Sequence, residues 1–100
     1  MAVVNEYEVT YILRPSLEET EVDERANAVV EDLKARGGEI VGELDKQGKR
    51  RLAYEIDDVR EGYYVTMHFR AEAGQQKELE RRMRLNDSVL RALFIRKHEK

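Results

Sequence analysis

The sequence contains no cysteine. That removes a disulfide framework, a thiolate nucleophile and any cysteine-based zinc or iron–sulfur site, and it suits a reducing compartment. Long apolar runs are missing too, and nothing approaches the roughly 20 residues a membrane span requires. The opening Met1-Ala2-Val3-Val4-Asn5-Glu6 lacks the basic region and apolar core of a secretory signal. No linker, low-complexity segment or solenoid-spaced repeat interrupts the chain. These absences predict a soluble cytoplasmic protein without a membrane partner. One hundred residues suit a single domain over 1–100, built on one two-layer core.

The means of catalysis are equally scarce. His68 stands on a strand parity that faces away from the apolar residues, where it is exposed or faces a partner. His98 lies near the end, and no His-x-x-x-His spacing occurs. The first strand-to-helix turn, Leu13-Arg14-Pro15-Ser16, has no glycine. It cannot form a glycine-rich phosphate cradle, which argues against an acylphosphatase-like activity. The carboxylates that follow suit a helix N-terminus better than a metal. The expectation is therefore no enzyme, no cofactor and no metal.

Charge is what the chain has in excess. Charged residues make up 39% of it, against 41% hydrophobic. Residues 1–45 carry 4 basic and 12 acidic side chains; residues 46–100 carry 14 and 9. A net −3 thus conceals a basic second half, and nucleic-acid binding follows the local field rather than the total. Lys46, Lys49, Arg50 and Arg51 crowd around Gly48, a density that attracts phosphate and releases counterions. Strict alternation would send Lys49 and Arg51 to one side of a strand, and Lys46 and Arg50 to the other, straddling a backbone. Arg91, Arg96 and Lys97 add charge at the end of the chain, and Arg81, Arg82 and Arg84 on a second helix. The plain alternative is charge spread over solvated faces.

Periodicity gives the elements. Tyr7, Val9, Tyr11 and Leu13 alternate with polar neighbours, which is a half-buried strand ending before Pro15. Ser16-Leu17-Glu18-Glu19 reads as a capping box. Val22, Ala26, Val29, Val30 and Leu33 make a helical stripe, closed at Gly37-Gly38. Residues 39–57 read as one long strand bent near Gln47-Gly48, or as a hairpin turning there. Residues 57–62 read as a turn, followed by a strand on Tyr63, Val65, Met67 and Phe69. A shorter helix runs from Ala73 to about Leu85, with Leu79 and Met83 inward. Residues 89–96 form the last strand.

This order predicts an α+β, ferredoxin-like βαββαβ sandwich: a four-stranded antiparallel sheet with two helices on one face and the other face open. The last strand is apolar at both parities, Leu90, Ala92 and Phe94 on one side, Val89, Leu93 and Ile95 on the other. One set must point outward, and an exposed apolar patch marks an interaction surface. Leu93 and Ile95, with Tyr64 and His68 from the outward parity of the preceding strand, are the candidate partner surface. Tyr64, Thr66 and His68 match poorly to the aromatic platform of an RNA-recognition motif, which favours backbone contact with structured RNA over base stacking.

Gly48-Lys49-Arg50-Arg51-Leu52-Ala53-Tyr54 resembles the signature of the bacterial small-subunit ribosomal protein six family. Tyr7-Glu8-Val9, Arg14-Pro15, Gly62-Tyr63-Tyr64 and Arg84-Leu85-Asn86-Asp87-Ser88-Val89-Leu90-Arg91 agree in order and spacing, so the resemblance spans roughly residues 5–97. It implies a non-catalytic, cytoplasmic ribosomal protein, monomeric when isolated. Such a protein pairs with small-subunit ribosomal protein eighteen and binds the central domain of small-subunit ribosomal RNA. Carried onto this chain, it puts Lys49, Arg50 and Arg51 near RNA phosphates, with Lys46, Arg91, Arg96 and Lys97 as further RNA contacts, and Leu52 and Tyr54 in the core. Where members often have proline and basic residues after the tyrosine, this chain has Glu55 and Asp57-Asp58, which weighs against RNA contact from that strand end. It also lacks the long acidic tail of some members, so no partner contact is expected from one. The rival reading is a ferredoxin-like regulatory or ligand-binding module that dimerises through its sheet.

Overall fold

A computed structural model describes residues 3–56 and 58–97. β1 (Val4–Leu13) leads to α1 (Glu19–Ala35), a short β2 (Glu39–Ile40), β3 (Asp45–Ile56), β4 (Val59–Glu72), α2 (Ala73–Leu85) and β5 (Val89–Arg96). All pairings are antiparallel, in the order β2-β4-β1-β5, with β3 continuing β2 along the free edge of β4. This is the ferredoxin-like arrangement with one edge strand divided in two.

The ladder between β1 and β4 runs unbroken from Val4 opposite Glu72 to Leu13 opposite Tyr63. Its odd-numbered residues all point to the helices. Tyr7, Val9, Tyr11 and Leu13 meet Val65, Met67, Phe69 and Ala71 there, closed over by Val22, Val29 and Leu33 of α1 and Leu79 and Met83 of α2. Tyr7 stacks on Phe69 with ring centroids 5.4 Å apart, and Phe94 meets Phe69 edge-on at 6.2 Å.

Helix α1 begins later than its sequence suggests. Glu18 is the N-cap and forms a capping box with Glu21, whose carboxylate accepts from the Glu18 amide at 3.1 Å. Ser16 and Leu17 belong to the preceding turn. The C-terminal stop is as expected: the Gly38 amide donates to Leu33 O and the Gly37 amide to Lys34 O, the paired bonds of a Schellman motif. Helix α2 has a second carboxylate box, Glu72 with Gln75.

Three sequence expectations change in the sheet. The long strand over 39–57 is interrupted at 41–44, although the Val41 amide still donates to His68 O at 2.9 Å. Ile40 and Leu44, on either side of the break, both pack against the core. Of the turn expected over 57–62, Asp57 lies outside the described residues and residues 58–62 do not form a broad turn. Ile56 already pairs with Val59, with Asp58 at φ 64, a left-handed conformation that Asp tolerates better than most residues. The β3–β4 hairpin is therefore a long arm, and Gly62 lies inside a strand. There a Cβ would stand 2.4 Å from Ile12 Cγ2 and 3.0 Å from Leu13 O, so only glycine fits. Thirdly, β5 carries a bulge: Ile12 faces Arg91 while Leu13 faces Val89, leaving Leu90 unpaired.

Two measurements test this packing. Gly62→Ala forces Ile12 and the Leu13 backbone apart, and overpacking of this kind costs about 1–3 kcal/mol; urea denaturation should show a lower midpoint with unchanged slope. Tyr11 is fully buried with no partner for its hydroxyl among the described residues, and burial drives its pKa well upward. The folded state therefore keeps this proton when the unfolded chain releases it, above about pH 10. Its contribution to stability then falls steadily as pH rises from there. Tyr11→Phe should remove that alkaline decline, and at neutral pH should be neutral or stabilising by about 1 kcal/mol.

Candidate nucleic-acid and partner interface

The basic cluster sits on β3, where a bulge decides which way each cation points. Lys46 pairs with Val65 and Gly48 with Tyr64, so Gln47 has no counterpart. Gly48 takes φ +82, a left-handed conformation that a side chain disfavours. The inserted residue shifts the parity of all that follows. Lys46 opposite Val65, Lys49 opposite Tyr63 and Arg51 opposite Glu61 share the helix side; Arg50, opposite Gly62, is on the open side. Lys46 and Arg50 are thus separated, contrary to simple alternation.

Each cation has a distinct setting. Lys46 Nζ is 2.9 Å from Asp23 Oδ1 on α1. Lys49 lies over the Tyr63 ring at 5.3 Å and Arg50 over the Tyr64 ring at 5.4 Å, both within cation–π range. Arg50 Nη1 also donates to Gln47 Oε1 at 2.7 Å, and Gln47 Nε2 donates to Thr66 Oγ1 at 3.0 Å. Arg51 has no ion-pair partner among the described residues and is exposed. These contacts lie at the surface, so they orient the side chains without cancelling their field.

The remaining basic candidates do not join one patch. Arg91 reaches from β5 to the arm, where its Nη1 donates to Tyr54 Oη at 2.7 Å. Arg96 pairs with Tyr7 and so lies on the helix side of the opposite sheet end. Lys97 is on the open side of that same end, 3.5 Å from Glu6 Oε2. On α2 the arginines are occupied: Arg81 by Glu78, Arg84 by Glu80, and Arg82 by Asp32 and Glu78. The Arg81 hydrogen bond holds the Glu78 carboxyl below its usual pKa.

The four partner candidates, by contrast, share one face. Register aligns His68, Glu8 and Ile95 in one row across β4, β1 and β5, and Thr66, Thr10 and Leu93 in the next. Tyr64, Ile12 and Arg91 form a third. All point away from the helices. Leu93 is 60% exposed and Ile95 49%, while Val89, Ala92 and Phe94 pack against the core. The β5 bulge corrects the sequence reading here, because it turns Val89 inward and leaves Leu90 beside Ile12 on the outward side. His68 Nδ1 lies 3.6 Å from Glu8 Oε1, too far for a hydrogen bond, and has no other partner among the described residues. Thr10 and Thr66 share a 2.9 Å hydrogen bond at the centre of the face. His98 falls outside the described residues.

Leu52 is buried but lies outside the main core cluster, on the open-side parity of Arg50, and Tyr54 is 62% exposed and is no core residue. The Gln47 bulge reverses the parity that alternation gave these residues, and the pairing of β3 with β4 shifts a second time between Arg51 and Ile56. Gln47 and Tyr54 are the two contributors that sequence reasoning missed. The bend at Gln47-Gly48 was the available signal.

Comparison with known proteins agrees with this architecture. The model of the family described as ribosomal protein S6 matches residues 6–96. The small ribosomal subunit protein bS6 of Desulforamulus reducens is 47% identical over 96 residues, covering 93% of this chain and 97% of that one. That of Desulforudis audaxviator is 48% identical over 96 residues, with 93% and 98% covered. The crystal structure of 30S ribosomal protein S6 from Thermotoga maritima superposes with a TM-score of 0.87 at 28% identity, covering 95% of this chain and 89% of that one. The C-terminal domain of the MgtC protein from Mycobacterium tuberculosis, 18% identical at a TM-score of 0.62, shares the fold alone. With nearly its whole length matched, the chain belongs to the ribosomal protein S6 family, and is a structural, non-enzymatic component of the small ribosomal subunit.

Proposed function

We propose that this chain helps small-subunit ribosomal protein eighteen hold the central domain of small-subunit ribosomal RNA. It works in the cytoplasm as part of the ribosome, and is monomeric until it meets its partner. The observation that supports the reading is the separation of two surfaces on one sheet. Leu93 and Ile95 stand exposed on the open face in register with His68 and Thr66, while the β3 cations occupy the opposite edge. An apolar strip of this kind suits a protein partner. A run of cations suits phosphates, each neutralised phosphate adding to the salt dependence.

Filter binding with this chain, protein eighteen and the central-domain RNA fragment, at two salt concentrations, tests the proposal. Tight, salt-sensitive binding that needs both proteins is the expected result. Arg50→Glu combined with Arg51→Glu should weaken RNA binding and reduce the salt slope by about 2, with no loss of thermal stability. Leu93→Asp with Ile95→Asp should instead abolish pairing of the two proteins. Undiminished affinity in the first variant removes the β3 cluster from the RNA interface. Self-association in place of pairing would favour the dimerising module.

A further inference from the structure

The β3–β4 arm carries an aromatic ring where its sequence parity predicted a core residue. Tyr54 is the exposed tyrosine of the chain; Tyr7 and Tyr11 are buried, and Tyr63 and Tyr64 are half-buried beneath their own cations. Arg91, from a different strand, reaches across to it. Its Nη1 donates to Tyr54 Oη at 2.7 Å, and its guanidinium carbon lies 5.6 Å from the ring centroid. The hydrogen bond at the hydroxyl and the guanidinium over one side of the ring restrain it, and the residue stays 62% exposed.

We propose that Tyr54, held by Arg91, is a stacking seat for one unpaired base of the bound RNA. The proposal rests on the RNA-binding reading above and deepens it. Three physical points favour a base over other occupants. An exposed ring presents a π-face that any base can cover, and a ring ordered in advance loses little entropy when it does so. Arg91 uses one donor on the hydroxyl and has others for a base edge or a neighbouring phosphate. Lastly, Glu55, Asp58 and Glu61 belong to the same arm, with Glu55 engaged by Arg60 at 2.8 Å. Those carboxylates disfavour a dense array of phosphates at this point but leave a neutral base unopposed. Arg50, four positions before Tyr54 and on the same open side as Arg91, is placed to hold the flanking backbone.

The sequence has no tryptophan, so Tyr54→Trp supplies a single fluorophore at the seat. In the presence of protein eighteen, titration with the central-domain RNA fragment should quench that emission strongly. Inorganic polyphosphate, which has charge but no bases, should leave it nearly unchanged. In parallel, Tyr54→Ala should weaken RNA affinity roughly tenfold or more with an unchanged salt slope, because stacking is lost and no phosphate contact is. Its thermal melt should match the parent, since the ring is exposed. Wild-type affinity in Tyr54→Ala, a reduced salt slope, or equal quenching by polyphosphate would overturn the stacking seat and leave the RNA reading intact. If the parent chain fails to bind RNA even with its partner, both fall together.

Discussion

The ten-residue antiparallel ladder between β1 and β4 is the constraint on which the rest depends. Side chains alternate strictly along it, so one register places Tyr7, Val9, Tyr11 and Leu13 with Val65, Met67 and Phe69 against the helices. The same register puts Glu8, Thr10, Ile12, Tyr64, Thr66 and His68 on the other face. Core and interface are thus the two sides of one pairing. A slip by one residue would exchange them, burying Glu8 and exposing Tyr11. The Thr10–Thr66 hydrogen bond gives the open face a polar centre without disturbing that register.

Around this regular centre, function is placed by irregularity in the flanking strands. The Gln47-Gly48 bulge brings Lys46, Lys49 and Arg51 to one side and leaves Arg50 on the other. The β5 bulge turns Val89 inward and Leu90 outward. Beyond Arg51 the β3–β4 pairing shifts again, and Tyr54 stands exposed at the surface. Each device inserts or shifts a residue without interrupting the central ladder. Bulges commonly re-aim side chains at edges in this way.

The cations are arranged by aromatic rings as much as by carboxylates. Lys49 with Tyr63, Arg50 with Tyr64 and Arg91 with Tyr54 tie three flexible side chains to strand residues. A cation held over a ring remains charged and solvated, so the arrangement restrains it without neutralising it. The arginines of α2 differ. Their neighbouring carboxylates absorb them, and that helix presents a balanced face instead of a basic one.

The element order, the helix-facing residues of β1 and β4, the stop at Gly37-Gly38 and the basic cluster near Gly48 are all legible in the amino-acid sequence. All of these follow from local periodicity, capping chemistry or composition, which a single chain segment carries on its own. The helix start at Glu18, the break at 41–44, the extension of β4 back to Val59 and the exposure of Tyr54 emerge with the folded chain. The last three depend on which strand lies alongside and in what register, whereas the helix start rests on the Glu18–Glu21 box winning over Ser16. An inserted residue such as Gln47 or Leu90 leaves the composition of its strand intact, yet it exchanges the faces of every residue beyond it.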